Sequence, residues 1–174
     1  GQDGNIPRAL EMLILTAVRS AEVRGATWDE IDMKRGLWTL SAERMKSDRP
    51  HNVALSDAAL NILDGMDRDG DLIFPAKTGR ALHKDTLIKA LRRLADDQVV
   101  TVHGFRSTFV DWAMENTDTP WFITKMALAH RVGNEVEQAY FRSDLIAKRR
   151  KLMRQWAQYL GYAEAGGKVV QIAQ

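Results

Sequence analysis

The sequence predicts a mainly α protein that carries one small antiparallel β-sheet, an α+β chain in which helices dominate. Three observations carry that expectation. Apolar residues recur at helical spacing near the start, in Leu10, Leu13, Ile14, Ala17 and Val18. The stretch GLWTLSAERMKSDRPHNVALS instead sets two short apolar runs, 37–40 and 52–55, around a polar basic turn, the pattern of a β-hairpin. From Lys84 onward helical spacing returns and holds almost to the end.

Taken in order, the first helix has Pro7 near its first turn, where a missing N–H costs nothing. A short second helix begins around Ser20 and stops near Gly25. Ile31 ends a first short strand, DMKRG turns, and the hairpin follows. Ser56 caps a helix reaching about Met66. DRDGD then leads through LIFP into the loop AKTGRALH. Helices are expected over 85–97, 103–116, 120–129, 134–141 and 143–160. Residues 1–162 form one domain, and 163–174 a tail with a Gly-Gly hinge and a β-prone end. That tail reads equally as a frayed terminus or as a strand added to a neighbouring protomer.

With 174 residues and 45% hydrophobic content the chain can bury a proper core. A net charge of +2 and a pI near 9.0 permit a nucleic-acid partner without demanding one. The absence of cysteine excludes disulfides, thiolate zinc sites and cysteine nucleophiles, and suits a reducing cytoplasm. The longest apolar run, 13–18, is too short to span a bilayer, so no membrane partner is expected. The first ten residues have no signal-peptide pattern, and the chain begins abruptly, as one piece of a larger protein.

DRDGD lacks the glycine and glutamate positions of a calcium loop and reads as a surface turn. The histidines at 51, 83, 103 and 130 have no metal-ligand spacing. GxGxxG, Walker and GxSxG motifs are missing too, so neither a cofactor nor a metal is expected.

The informative residues come in five stretches. In HGFRSTFVDWAMEN, Phe105, Phe109 and Trp112 share the core face, and His103 and Arg106 point together roughly 120° away from it. An imidazole beside a guanidinium can give directed donors to one anionic oxygen pair, although such pairs are common on exposed helices. In TAVRSAEVRG, Arg19 follows the first helix, and Glu22 can hold and aim it, or the two form an ordinary surface ion pair. Lys46 sits at the hairpin tip in ERMKSDRPH, over a ligand or simply in solvent. His130 lies at a helix end, whose negative dipole favours its protonated form. Beyond Gly133, Asn134 and Glu137 start a short helix on which Tyr140 shares a face with Val136 and Ala139, consistent with a packed aromatic.

The order Arg19, Lys46, His103, Arg106, His130, Tyr140 and the residues around it resemble the catalytic domain of the tyrosine recombinases, especially integrases of phages and genomic islands. LTAVRSAEVRGATWDEID, ERMKSDRPHNVALS, HGFRSTF, LAHRVGN and AYFRSD carry the resemblance, which covers roughly residues 8 to 162. It implies the DNA breaking-rejoining enzyme fold. Arg19 and Arg106 would clamp the scissile phosphate, His103 would accept or donate a proton, and His130 would donate to the phosphate. Lys46 would be general acid for the leaving 5′-oxygen, Glu22 would support Arg19, and Tyr140 would attack phosphorus to give a 3′-phosphotyrosyl link. The His130 position is tryptophan in some members, and Ser20-Ala21 stands where Pro-Gly or Arg-Gly is commoner.

The chemistry suits these residue types. A phosphodiester under attack gains negative charge, and guanidinium groups match its oxygens while staying charged. The covalent link conserves the phosphodiester's energy, so strands can be rejoined without ATP or metal.

The resemblance also implies double-stranded DNA recombination sites as substrate, a homo-tetramer with exchanged tails, a directionality factor, and core- and arm-binding domains elsewhere in the full protein. The isolated domain is expected to be monomeric, with limited DNA affinity. Contacts to DNA are expected from Arg44, Lys46, Arg49, Lys84, Lys89, Arg92, Arg93, Arg106 and Arg131, whereas KRRK (148–151), opposite Leu145, Leu152, Trp156 and Leu160, reads first as a solvated helix face and second as a further phosphate contact. Two alternatives stand beside recombination: relaxation of DNA in the manner of a type IB topoisomerase, and an inactive DNA-binding accessory protein.

Overall fold

In the computed structural model, which describes residues 4–95, 99–130, 132 and 145–162, helix α1 (Asn5–Thr16) is the central element. It packs on four other helices. Ala9, Leu10, Met12, Leu13, Leu15 and Thr16 are all buried, which is wider than a single amphipathic stripe and fits a helix enclosed on most sides. Thr16 fits this interior because its hydroxyl donates to the Met12 carbonyl at 2.6 Å. The chain leaves α1 through Ala17 in the left-handed conformation, φ 51°, and enters α2 (Ser20–Arg24) with Arg19 as its N-cap.

A one-turn 3-10 helix, Trp28–Glu30, leads into a three-stranded antiparallel sheet of β1 (Ile31–Asp32), β2 (Leu37–Leu40) and β3 (His51–Ala54) in that spatial order. Ile31 thus begins the first strand rather than ending it. The β1–β2 turn passes through Gly36 at φ +58°, where a side chain would be strained. Opposite residues are Ile31 and Trp38, Leu37 and Ala54, and Leu40 and His51. Burial of Trp38 and Leu40 about the exposed Thr39 fixes this register, since a one-residue slip would turn both into solvent. Thr39 donates across to the Asn52 side chain at 3.0 Å.

Ser56 caps α3 (Asp57–Asp64), accepting from the Ala59 amide. LIFP is not a full strand. It is fastened by single bridges, Thr27 to Leu72 and Pro75 to Ala81, with Ile73 and Phe74 buried. DRDGD lies at the surface as expected, and Arg68 stacks 4.5 Å above the Trp28 ring. The remaining helices are α4 (Thr86–Leu94), α5 (Gly104–Asn116), α6 (Trp121–Ala127) and α7 (Ile146–Tyr159). Each lies inside its expected range and is shorter at one or both ends. The helix expected over 134–141 and the tail from 163 fall outside the described residues.

The core has two parts. One gathers α1, the sheet, α3 and α4. The other gathers α5, α6 and α7 around Phe109, Trp112 and Trp156, whose rings meet at centroid distances of 5.1 to 6.1 Å. Trp156 ties the parts together by donating from Nε1 to the Ile14 carbonyl on α1 at 2.8 Å.

KRRK corrects an expectation. Lys148 and Lys151 are exposed, but Arg149 is only 3% exposed. Its guanidinium donates to the Asn52 carbonyl on β3 and lies 3.5 Å from His51 Nε2. Arg150 donates to the carbonyls of Arg35 and Gly36 in the β1–β2 turn. Half of the run therefore holds the sheet against α7, and the Asn52 carbonyl that Arg149 serves would be costly to leave without its donor.

Candidate active site

Arg106 stands at the centre of the site. It occupies the first turn of α5, yet it is 4% exposed. Its guanidinium lies between the C-terminal ends of two helices, donating through Nη1 to the Ala17 carbonyl after α1 and through Nη2 to the Leu128 carbonyl after α6, the latter at 2.8 Å. Helix ends leave such carbonyls without intrahelical donors and concentrate partial negative charge there. A planar cation with five N–H groups is well matched to both at once. Burial first, and then the charge of Arg19, draw the pKa down to about 10, with Glu22 opposing the fall. Arg106 therefore stays charged at neutral pH.

His130 is placed by the termination of α6. Its amide donates to the Lys125 carbonyl at 3.0 Å and the Ala129 amide to the Met126 carbonyl at 3.1 Å, with Ala129 left-handed at φ 55°. This is the Schellman arrangement, made here with alanine in the place glycine usually fills. The His130 Nε2 lies 3.4 Å from Arg106 Nη2, an N–H that can only donate, so Nε2 accepts and the neutral ring carries its proton on Nδ1.

The expectation that the helix dipole would favour protonated His130 is overturned. Its pKa is lowered. Although the residue as a whole is exposed, partial desolvation of the ring is the first cause, followed by repulsion from Arg106, Lys125, Arg19 and His103. Several neighbouring cations outweigh one helix end.

Arg19 is held as the sequence suggested. Glu22, 4% exposed, accepts from the Arg19 amide at 2.6 Å and from Nη1 at 3.0 Å. Arg19 itself keeps 31% of its side chain exposed, so it is braced yet open to a ligand. His103 is the exposed N-cap of α5. Arg19, His103, Arg106 and His130, spread over more than a hundred residues of sequence, thus share one electrostatic neighbourhood. The expected partnership of His103 and Arg106 differs in one respect: they do not lie side by side on an exposed face, since Arg106 turns inward.

Lys46 is exposed in the loop between β2 and β3. Tyr140 and Arg131 fall outside the described residues. Of the other expected DNA contacts, Arg49 and Lys84 are exposed. Arg44 is not displayed in the same way, because its guanidinium grips the Glu30 carboxylate and donates to the Glu22 carbonyl. The sequence reading also missed Lys125, whose charge bears on His130 more strongly than that of Arg19 does. Its position as an ordinary last-turn lysine of α6 gave no signal of that role.

Chemically, the arrangement among the described residues is a nest of cations with a single carboxylate, Glu22, engaged on Arg19. Among the described residues Arg106 gives three of its five N–H groups to protein atoms. Such a site suits a tetrahedral oxyanion that needs several donors held in place before it arrives.

Residues 5–145 match the model of the phage integrase family. Prophage integrase IntA of Escherichia coli K12 is 38% identical over 162 residues, covering 90% of this chain and 39% of that protein. Prophage integrase IntZ of the same organism is 33% identical over 165 residues, with 92% and 41% covered. The integrase of Enterobacteria phage P4 is 33% identical over 172 residues, with 87% and 39% covered. The chain thus spans about two fifths of the length of these relatives. Among solved structures, a XerA recombinase shares the fold with a TM-score of 0.53 at 15% identity, over 92% of this chain and 64% of that one.

Proposed function

The chain belongs to the phage integrase family, and from that premise we propose that it cuts and rejoins DNA in site-specific recombination that integrates or excises a mobile element. The observation that carries this reading is the socket around Arg106, with Arg19 and His130 at its mouth. It supports a clamp for the non-bridging oxygens of a scissile phosphate.

In the proposed reaction Tyr140 attacks phosphorus, the bond from phosphorus to the 5′-oxygen breaks, and a 3′-phosphotyrosyl link forms. The phenol begins with a pKa near 10, so His103 takes its proton as the bond forms. Arg19 and Arg106 stabilise the charge that develops on the phosphoryl oxygens. The entering phosphate also reverses the repulsion that discharges His130, which then protonates and donates to the same oxygens. Lys46 gives its proton to the departing 5′-oxygen. Attack by another strand's 5′-hydroxyl reverses these steps and completes exchange. The full assembly is a tetramer on two duplex sites in the cytoplasm, with tails exchanged between protomers and a directionality factor choosing the outcome.

Covalent capture tests this directly. Nicked duplexes from a randomised pool are incubated with the chain, and covalently bound DNA is recovered and sequenced. Wild type should capture a defined family of sequences and Tyr140→Phe none. Absence of adduct from wild type, with DNA binding intact, would leave only an accessory DNA-binding role. Paired copies of the captured site should give recombinants, which a type IB relaxing enzyme would not produce.

A further inference from the structure

The hairpin that carries Lys46 is fastened at its foot. A one-turn 3-10 helix, Ala42–Arg44, follows β2, and Met45 beyond it is buried. From this turn Arg44 reaches the segment that bears Arg19. Nη2 donates to the Glu22 backbone carbonyl at 2.7 Å, and Nη1 pairs with the Glu30 carboxylate. Both partners of that ion pair are largely shielded, with 25% and 10% of their side chains exposed. Glu30 is fixed in turn by Trp38 Nε1 at 3.0 Å and by the Thr27 amide at 3.3 Å. Gly25 makes room for the contact, because a Cβ there would stand 3.1 Å from Arg44 Nη2.

Glu22 is therefore engaged from two sides: its carboxylate holds Arg19 and its carbonyl holds Arg44. A surface DNA contact would not require a shielded carboxylate, a backbone acceptor and a glycine fitted around the same guanidinium. Lys46 is the first exposed residue beyond the fastened turn. We propose that Arg44 is a positioning residue that docks the foot of the Lys46 hairpin on the Arg19–Glu22 turn, so that the leaving-group acid and the phosphate clamp share one frame. This rests on the reading of Lys46 as general acid given above. A lysine on a hairpin free to swing would meet the 5′-oxygen only part of the time, whereas docking keeps it within reach during the chemical step.

The test uses Arg44→Met, which keeps length and removes the fork of donors, and Gly25→Ala, which crowds that fork without altering charge. Each is measured on the captured duplex with oxygen or sulfur at the 5′-bridging position, because a thiolate departs without a proton. Arg44→Met should cleave the oxygen substrate about tenfold or more slowly at saturating protein and the sulfur substrate within about twofold of wild type. Gly25→Ala should follow in the same direction with a smaller loss. Hydrogen exchange of amides 45–49 should quicken in both variants.

Equal loss on both substrates would overturn the proposal, as would unchanged exchange in the hairpin. So would weakened DNA binding with an unchanged rate at saturation, which would make Arg44 a DNA contact after all. Lys46→Ala is the control for the underlying reading: if sulfur does not rescue it, Lys46 is not the acid and the positioning role falls with it. If wild type forms no adduct, the proposed function fails on its own, and hydrogen exchange alone decides whether Arg44 docks the hairpin.

Discussion

At the residue scale, His130 reports the electrical state of the site. In the free protein its pKa lies below the ordinary histidine value of about 6.5. An oxyanion in the socket should raise it, and NMR titration of the imidazole with and without vanadate reads the shift. Lys125→Met should raise it in the free protein as well, by removing one of the cations that repel the proton. A depressed native pKa means that the unfolded chain binds more protons, so this contribution to stability is full above about pH 6.5 and diminishes as pH falls below it. Urea midpoints at two pH values on either side should therefore fall further for wild type than for His130→Asn.

Ala129 invites a second residue-scale test. Alanine at φ 55° carries a left-handed penalty that glycine lacks. Ala129→Gly should leave stability unchanged or raise it by up to about 1 kcal/mol, while Ala129→Val should lower it, both read from thermal unfolding.

At the scale of elements, α7 and the sheet are joined through polar groups as well as apolar ones. Arg149→Met keeps most of the apolar bulk but removes the donor to the Asn52 carbonyl. It should cost about 1–3 kcal/mol by denaturant unfolding, the range for a buried acceptor left without its partner. Lys148→Met and Lys151→Met, both at exposed positions, should be nearly silent in the same measurement.

This contrast also shows what sequence could convey. Spacing identified α1 and α5, the Ser56 cap marked α3, and the hairpin was readable from two apolar runs about a basic turn, because periodicity and capping are written in residue types. Arg149 and Arg106 were misplaced toward solvent because what draws them inward is not a residue type. Their acceptors are main-chain carbonyls at a strand end and at two helix ends, and every residue has a carbonyl. The group of Arg19, His103, Arg106 and His130 was legible through a family resemblance and not through any local pattern. Arg44 was assigned to DNA by its charge alone, since nothing in the sequence pairs it with Glu30 and Glu22.

At the scale of the whole molecule, charge is distributed unevenly between display and construction. Lys84, Lys89, Arg92 and Arg93 are exposed on or just before α4, while Arg44, Arg106 and Arg149 are partly or fully withdrawn. DNA affinity should therefore depend on salt through the displayed group. Lys84→Gln should reduce the log–log salt slope by about one, and Arg44→Gln should leave it unchanged, as measured by fluorescence anisotropy across a salt series.

The seating of Arg106 between two helix ends has a consequence for how such a chain can decay. Loss of a reactive residue often relieves a fold, because function commonly asks for strained or repelling groups. Here the same guanidinium that would face the phosphate also joins the ends of α1 and α6, and replacing it with alanine strands two carbonyls at a cost on the order of 3 kcal/mol. Lysine offers one point charge where a fork is needed. A lineage that stops using its enzyme can discard the exposed Lys46 with little structural penalty, but not Arg106. Silent descendants that still fold should retain this arginine as a relic of architecture, so its presence by itself says nothing about whether a copy still cuts DNA.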